Sequence, residues 1–557
     1  MSGRFRARWG DRLGLGVLAA AVLSTDAWQG LSGGLSLTGA ERVLRGDLPY
    51  RDFWTLYAPG HFYLLAALLR GLGRHWLVGT FAGVFLCAGA VVLFHRLLVE
   101  RGCGRMESNL AALLLLGALF ATPFHRSLGT YPPFLVCVLA AWGSAGRALE
   151  RPGRRQAWSA GAWLGLAALF KHDVAAYACL AMLAGLLVAP PAQAGSSSRV
   201  RRRVGPLAIG ALAVFLPPMT WLAWMGGKDL AWDLLVFPAT RFRFARPEFY
   251  PPLLPLQLLH PSGPRREWLF AGAEWAHFAL PLLVAGVAGA WALRRRPQRP
   301  FALAFGLAFA LHFAAAHVQI NTHVVSMNLY AAALGALALA TPLPRRVRGA
   351  ALLLGVVWLG ALLARPVLGP LLQGPTPRVP YRSPPVAGIL AWPGDVAQLE
   401  HLQALVEARV PVDGAIYVGE RRHDILITSD PGWYFLLGRR PATRYHELHP
   451  AVADTARVQR EMIASLRREQ PQLVLLRDAF PDAVLDRFRT RLQRHVPQVG
   501  ATLLDAYLAR EYRELERAGQ LQVLVPRDPG PVDSAGSSPA AASQPPGDAL
   551  PGANAVR

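Results

Sequence analysis

Between about Leu13 and Leu368 the apolar residues fall into stretches of about 15 to 24, separated by short polar or basic links. That is the length a helix needs to cross a hydrocarbon layer ~30 Å thick. After Pro380 the pattern reverts to that of ordinary water-soluble sequence. Two apolar runs are too long for one crossing and carry an internal break. The run from Trp158 to Val188 is interrupted only by Lys171, His172 and Asp173, and the run from Asn109 to Ala145 divides around Pro123, His125, Arg126 and Pro132. Each predicts two short helices meeting at one side of the membrane. The spans expected are about 13–31, 75–98, 109–123, 131–146, 157–170, 174–189, 205–225, 271–293, 300–317, 324–341 and 350–368, eleven in all.

Charge fixes the orientation. The formal net charge of +23 would suit a nucleic-acid partner if it formed one basic face. Instead the arginines cluster between apolar runs: Arg4 to Arg12, Arg101 and Arg105, Arg147 to Arg155, Arg199 to Arg203, Arg294 to Arg299, and Arg345 to Arg348. The positive-inside rule puts each cluster in the cytoplasm, so no nucleic-acid partner is expected. An even number of crossings must separate neighbouring clusters, and the eleventh leaves the C-terminus outside. A hydrophobic content of 53% with only 17% charged residues agrees with a polytopic membrane protein. Met1 to Ala21 has the basic start and small residues of a signal peptide, but the multiple spans that follow favour an uncleaved first helix. The four cysteines, Cys87, Cys103, Cys137 and Cys179, fall in or beside predicted spans and show neither a disulfide framework nor zinc spacing.

Three outer segments are long enough for chemistry: 32–74, 226–268 and everything after about Gly369. The first reads Gly46, Asp47, Leu48, Pro49, Tyr50, Arg51, Asp52, Phe53, followed by Pro59 and Gly60. Leu64 to Leu72 is apolar yet too short to span, which predicts a helix in the interface plane. A large first outer loop of interfacial helices holding a carboxylate at the membrane surface resembles the GT-C glycosyltransferases. More narrowly, it resembles the bacterial protein mannosyltransferase and aminoarabinose transferase type. The patch Leu169, Phe170, Lys171, His172, Asp173 and the segment Val236, Phe237, Pro238 through Arg241, Arg243, Arg246 and Pro247 extend the resemblance over about Ala40 to Ala340.

The resemblance implies inverting transfer of a sugar from a polyprenyl-phosphate donor to a glycan, lipid or protein acceptor at the periplasmic face of a bacterial inner membrane. Such a reaction needs a carboxylate to take the acceptor's proton, a cationic site for the leaving phosphate, and a lipid-facing groove. The base candidates are Asp52 and Asp26. The family's usual acidic slot, about fourteen residues before Gly46, falls here on Ser32 and Gly33, so Asp26 requires a short insertion after it. Asp52 has an alternative reading as partner of Arg51 or as a loop cap.

Substrate-binding candidates are Arg51, Lys171, His172, Arg241, Arg243, Arg246 and His323. The outer arginines lie where the positive-inside rule gives them no routine reason to be, although contact with lipid headgroups would also employ them. Lys171, His172 and Asp173 are costly at membrane depth unless paired or hydrated. His323 belongs to a polar patch, His317 to His323, which could simply cap helix ends.

Some relatives of the resembled type use a divalent cation. This chain shows no acid pair at ligand spacing in the first loop and no His-x-x-x-His, and a cofactor is otherwise unspecified. The absence of phosphate-loop and dinucleotide fingerprints argues against nucleotide-driven chemistry. Beyond residue 378, residues 379–527 read as a soluble α/β domain, with strands at Ala415–Val418 and Gln472–Leu476 and helices at Val396–Ala408 and Val458–Arg468. Trp433 to Tyr445 resembles the periplasmic domain of some such transferases, and 528–557 reads as a disordered tail. The expected fold is therefore an α-helical polytopic GT-C-like membrane protein, about eleven transmembrane helices over residues 1–378, with a C-terminal soluble α/β domain. Two rivals stand beside it: a lipid or glycan transporter, against which the lack of an internal repeat counts, and a non-catalytic envelope-assembly protein.

Overall fold

The structure is a computed structural model that describes residues 2–25, 31, 33–122, 127–150, 154–188, 197–227, 229–245, 265–295, 298–316, 320–373, 377–427 and 429–527. Helices stand at all eleven expected spans: α1 (Ser2–Ser24), α4 (Trp76–Glu100), α5 (Arg105–Ala121), α6 (Tyr131–Glu150), α7 (Arg154–Phe170), α8 (His172–Val188), α9 (Ser197–Trp224), α10 (Arg265–Leu293), α11 (Arg299–Ala315), α12 (Ile320–Leu339) and α13 (Arg345–Leu363). Between α1 and α4 lie two short helices of the first outer segment, α2 (Gly34–Leu44) and α3 (Gly60–Leu72). The long apolar runs divide where the polar residues interrupt them: α7 ends at Phe170 and α8 begins at His172.

Five of the described helices are long and apolar enough to cross a membrane, and four shorter ones are apolar. Val204–Trp224, Phe270–Leu293 and Arg345–Leu372 bury under a third of their most apolar stretch against the protein. Leu212, Val287 and Leu353 on these helices are more than half exposed. Apolar surface of that extent suits hydrocarbon rather than water. Inside the bundle, α7 and α9 meet through glycines. A Cβ on Gly161 would lie 1.9 Å from the Leu207 carbonyl oxygen, one on Gly165 2.3 Å from that of Ala211, and one on Gly210 2.2 Å from that of Trp158. The Gly-x-x-x-Gly spacing thus brings two backbones together as small residues do in membrane helix pairs.

The C-terminal part is built on a mixed five-stranded sheet, β4 (Arg440–Pro441), β3 (Ala415–Glu420), β5 (Val474–Arg477), β7 (Leu521–Pro526) and β6 (Tyr512–Ala518) in spatial order. β3 runs parallel to β4 and β5, with Tyr417 opposite Val474, and β6–β7 is an antiparallel hairpin. A small antiparallel pair, β1 (Val379–Pro380) and β2 (Leu390–Ala391), precedes it. Side chains alternate across the sheet as strand geometry requires. Ile416, Val418, Leu473 and Leu475 face Leu399, Leu402 and Val406 of α14 (Pro393–Arg409). Ala415, Tyr417, Val474 and Leu476 face Met462 and Leu466 of α16 (Ala456–Glu469), beyond the short α15 (Gly432–Leu437). Two further helices, α17 (Asp482–Gln493) and α18 (Leu503–Glu511), complete the second face.

This unit does not float free of the membrane part. Leu37, Leu65 and Leu69 of the first outer segment and Trp76 at the start of α4 share one core with Ile389, Leu399 and Phe435. Gly34 abuts Gly432 so closely that a Cβ there would lie 2.6 Å from the Gly432 Cα. Thr38 Oγ1 donates to the Pro431 carbonyl at 2.7 Å, and Arg74 bridges Glu41 and the Phe435 carbonyl.

Candidate active site

The loop between α2 and α3 is held by its own polar groups. Arg42, buried at the end of α2, donates to Asp47 Oδ2 at 2.7 Å, to the Asp52 carbonyl at 2.9 Å and to the Thr443 carbonyl at 3.3 Å. Tyr50, at φ +69°, bonds Phe53 through its backbone N–H at 2.8 Å, and its hydroxyl donates to the Tyr57 carbonyl. A buried tyrosine in the left-handed region is strained, and these contacts hold it there. The turn is fixed by Asp52, whose Oδ2 accepts the Leu48 N–H at 2.8 Å and the Arg51 guanidinium at 2.7 Å. Burial pushes the Asp52 carboxyl up, but the Arg51 hydrogen bonds, the Leu48 N–H and the charges of Arg51 and Arg42 outweigh it and hold the group below the usual carboxylate range. Arg51 therefore serves Asp52, and its stem packs toward Gly226. Asp26 lies outside the described residues.

Beneath this loop, α7 ends against it: a Cβ on Gly60 would meet the Leu169 carbonyl oxygen at 2.7 Å. Lys171 is buried and its Nζ donates to Asp173 Oδ2 at 3.3 Å. The His172 ring lies near the backbone of Leu234 in the second outer segment. His323, in the first turn of α12, is buried, and His312 of α11 stands beside it with the two Nδ1 atoms 3.0 Å apart. Tyr177 packs on both imidazoles, and Asp173 is within electrostatic reach of Lys171, His172 and His323. Three of the expected residues, Lys171, His172 and His323, thus gather in one polar cluster, joined by His312 and Tyr177.

The second outer segment runs through two π-helical turns, Trp232–Val236 and Pro238–Phe242, an irregular winding that often marks a functional site. Above them lies a cavity of about 450 Å³. Trp54 of the first loop, Asp229, Trp232, Asp233, Phe237 and Arg241 of the second, and Arg444, Tyr445, Arg457 and Gln498 of the C-terminal unit are among its lining residues. Arg444 ties the three together. It donates to Asp229 Oδ2 at 2.9 Å and to the Tyr50 carbonyl at 2.8 Å, while its own carbonyl accepts the Trp54 N–H at 3.0 Å.

Asp233 is 2% exposed, and its Oδ2 has no hydrogen-bond partner among the described residues. Burial, helped by Asp229, pushes its carboxyl up to about 7 against the pull of Arg444 and a hydrogen bond from Trp54. Of the outer arginines, Arg241 reaches the cavity and lies over the Trp232 ring at 5.2 Å. Arg243 instead covers Phe244, which stacks on His495, and Arg246 lies outside the described residues. Asp233, Asp229, Arg444 and His312 carried no signal in the sequence, because nothing in their spacing announces that three distant segments meet.

The chain superposes on ArnT from Cupriavidus metallidurans bound to undecaprenyl phosphate with a TM-score of 0.54 at 13% identity, covering 92% of this chain and 97% of that one. The apo state of the same protein gives 0.53 at 12% identity, with the same coverage. The chain and this ArnT share one overall fold. No protein-family model matches the chain, and no curated protein matches it in sequence.

Proposed function

We propose that the chain is an integral-membrane glycosyltransferase that takes a sugar from a polyprenyl-phosphate donor and passes it to an acceptor at the outer face of a bacterial inner membrane. The observation that carries this reading is the polar cluster of Lys171, His172 and His323, in which His172 lies near Leu234, the sequence neighbour of the cavity residue Asp233. A buried cation at membrane depth needs an anionic partner; Lys171 has Asp173 at 3.3 Å and keeps further donor capacity on its ammonium group. In this reading the phosphate of a lipid donor takes up that capacity, reached from the lipid side as its prenyl chain requires. The ArnT structure was solved with undecaprenyl phosphate, and the same class of lipid is proposed here.

In the reaction, an acceptor hydroxyl oxygen attacks the anomeric carbon and the bond from that carbon to the phosphate oxygen breaks. The sugar inverts, and the lipid phosphate leaves with its charge met by Lys171, His172 and Arg241. The acceptor's proton passes to an outer carboxylate. Asp52 is committed to Arg51 and Leu48, so we assign it to holding the loop, which leaves Asp26, placed in the resembled type's acidic slot only by a short insertion after it, as the candidate base. A divalent cation finds no group of three His, Cys, Asp or Glu side chains among the described residues, so no step is routed through one. Eleven crossings, a cytoplasmic N-terminus and a periplasmic unit over 379–527 complete the proposal. Vesicles loaded with undecaprenyl phosphate should retain the purified full chain's bound lipid through native mass spectrometry, with phosphatidylglycerol displaced. Equal retention of both lipids would remove the phosphate assignment.

A further inference from the structure

His312 is a buried titratable residue that the transfer step leaves unused. It sits on α11, fully buried, with its Nδ1 3.0 Å from the Nδ1 of His323, which is itself buried. Tyr177 meets its ring at right angles and Tyr330 lies tilted against it, each with ring centres 5.6 Å away. The second nitrogen of His312, Nε2, is sealed from solvent and has no hydrogen-bond partner among the described residues. The charged groups within electrostatic reach of His312 are Asp173 and Lys171, and these two pair with each other.

A neutral imidazole carries one N–H and one lone pair. Two Nδ1 atoms 3.0 Å apart form a hydrogen bond only when one of them holds a proton and the other does not. If His323 were the donor, His312 would keep its own proton on Nε2, a buried N–H with no acceptor and so with a desolvation cost. The only N–H of His323 would then be engaged by His312, with none left for Asp173, the carboxylate in its electrostatic reach. With His312 as donor, no N–H is stranded on Nε2 of His312, and His323 carries its proton on Nε2. A third proton does not change the choice. In either arrangement it requires a proton on the sealed Nε2 of His312, and the nearby Lys171 opposes the added charge.

The geometry points to His312 as a positioning residue of the donor site: its Nδ1–H caps the Nδ1 of His323 and fixes His323 as a neutral imidazole with its N–H on Nε2, the form that donates to a phosphate oxygen. Lys171 then supplies the charge at this end of the site, and His323 supplies a directed hydrogen bond. The inference rests on the lipid-phosphate reading for the identity of the anion, but not for the tautomer.

The test is nitrogen NMR of the full chain with isotope-labelled histidine in phosphatidylglycerol proteoliposomes, the His323 signals being assigned by their loss in His323→Gln. Before undecaprenyl phosphate is added, His323 should show a protonated Nε2 and an unprotonated Nδ1 coupled through the hydrogen bond to the protonated Nδ1 of a second histidine, unchanged from about pH 8 to pH 5. His312→Phe keeps a ring in the same space and should abolish that coupling; if it does not melt like the wild type, the wild-type spectrum decides alone. A proton on Nδ1 of His323 in the wild type, an imidazolium in that pH range, or a His323 spectrum indifferent to a folded His312→Phe would overturn the proposal. Undecaprenyl phosphate should then move the Nε2 signal of His323 and leave the coupling in place. The expected tautomer with no response to this lipid would leave the histidine pair standing and sink the lipid-phosphate reading. A response to the lipid with the tautomer reversed would do the opposite.

Discussion

Replacing Asp52 by asparagine separates a loop clamp from a catalytic base. In the structure, Oδ2 accepts the Leu48 N–H at 2.8 Å and Arg51 at 2.7 Å, and the Arg51 and Asp52 side chains are 41% and 31% exposed. An asparagine oxygen can still accept from Leu48, and Arg42 bonds the Asp52 backbone carbonyl, which the substitution leaves alone. What is lost is the ion pair with Arg51. An exposed pair of that kind contributes about 0.2–1 kcal/mol, which corresponds to no more than about a fivefold change in rate even if loop order limits turnover. Removing a general base costs ~10²–10⁴-fold.

The pH dependence has the same sense. The Asp52 pKa is depressed, so its contribution is complete above the ordinary carboxylate range and is lost only as pH falls through its lowered value. Sugar transfer should therefore not titrate on Asp52 between about pH 5 and 8. The assay is the initial rate of labelled-sugar transfer at saturating donor in proteoliposomes, with melting temperature as control. A hundredfold loss in Asp52→Asn with an unchanged melt would refute the clamp and make Asp52 the base.

Three further outcomes follow from the packing and the buried charges. Arg444→Ala strands Asp229 and the Tyr50 carbonyl at about 1–3 kcal/mol, so amide exchange across Tyr50 to Trp54 should quicken about tenfold or more, and unchanged exchange would show that Arg444 does not join the segments. Gly161→Leu drives a side chain into the α9 backbone at Leu207; it should lower stability by about 1–3 kcal/mol or more, and a wild-type melting curve would refute the close α7–α9 approach. Asp454 is buried and pushed up to about 7, chiefly by burial; a carboxyl raised in the fold loses stability as pH rises from about 4 towards 7, so Asp454→Asn should raise the melting temperature more at pH 8 than at pH 5, and an equal effect at both would contradict the assignment.

Much of the membrane part was legible because its physics is local. A polar triplet inside an apolar run interrupts a span, and Lys171 to Asp173 does mark the break between α7 and α8. Strands β3 and β5 and helices α14 and α16 could be read from apolar runs and helical period, because each buries a face predictable from its own sequence. The packing of α7 on α9 was written in Gly161 and Gly165 but needed a partner helix to acquire meaning. The cavity was not legible. Trp54, Asp233 and Arg444 lie far apart in sequence and meet only because the C-terminal unit docks on the first loop. The His312–His323 pair was hidden for a similar reason, since the two residues sit on different helices and share no helical face.

The most direct measurement is the donor KM for labelled-sugar transfer from polyprenyl-phosphate sugars, compared between the wild type and Lys171→Gln in proteoliposomes at matched expression. Loss of a charge-assisted contact of about 1.5–3 kcal/mol predicts transfer by the wild type and a donor KM raised roughly 10- to 100-fold in the variant. Absence of transfer by the folded wild type across the donor panel, or an unchanged KM in Lys171→Gln, would contradict the account.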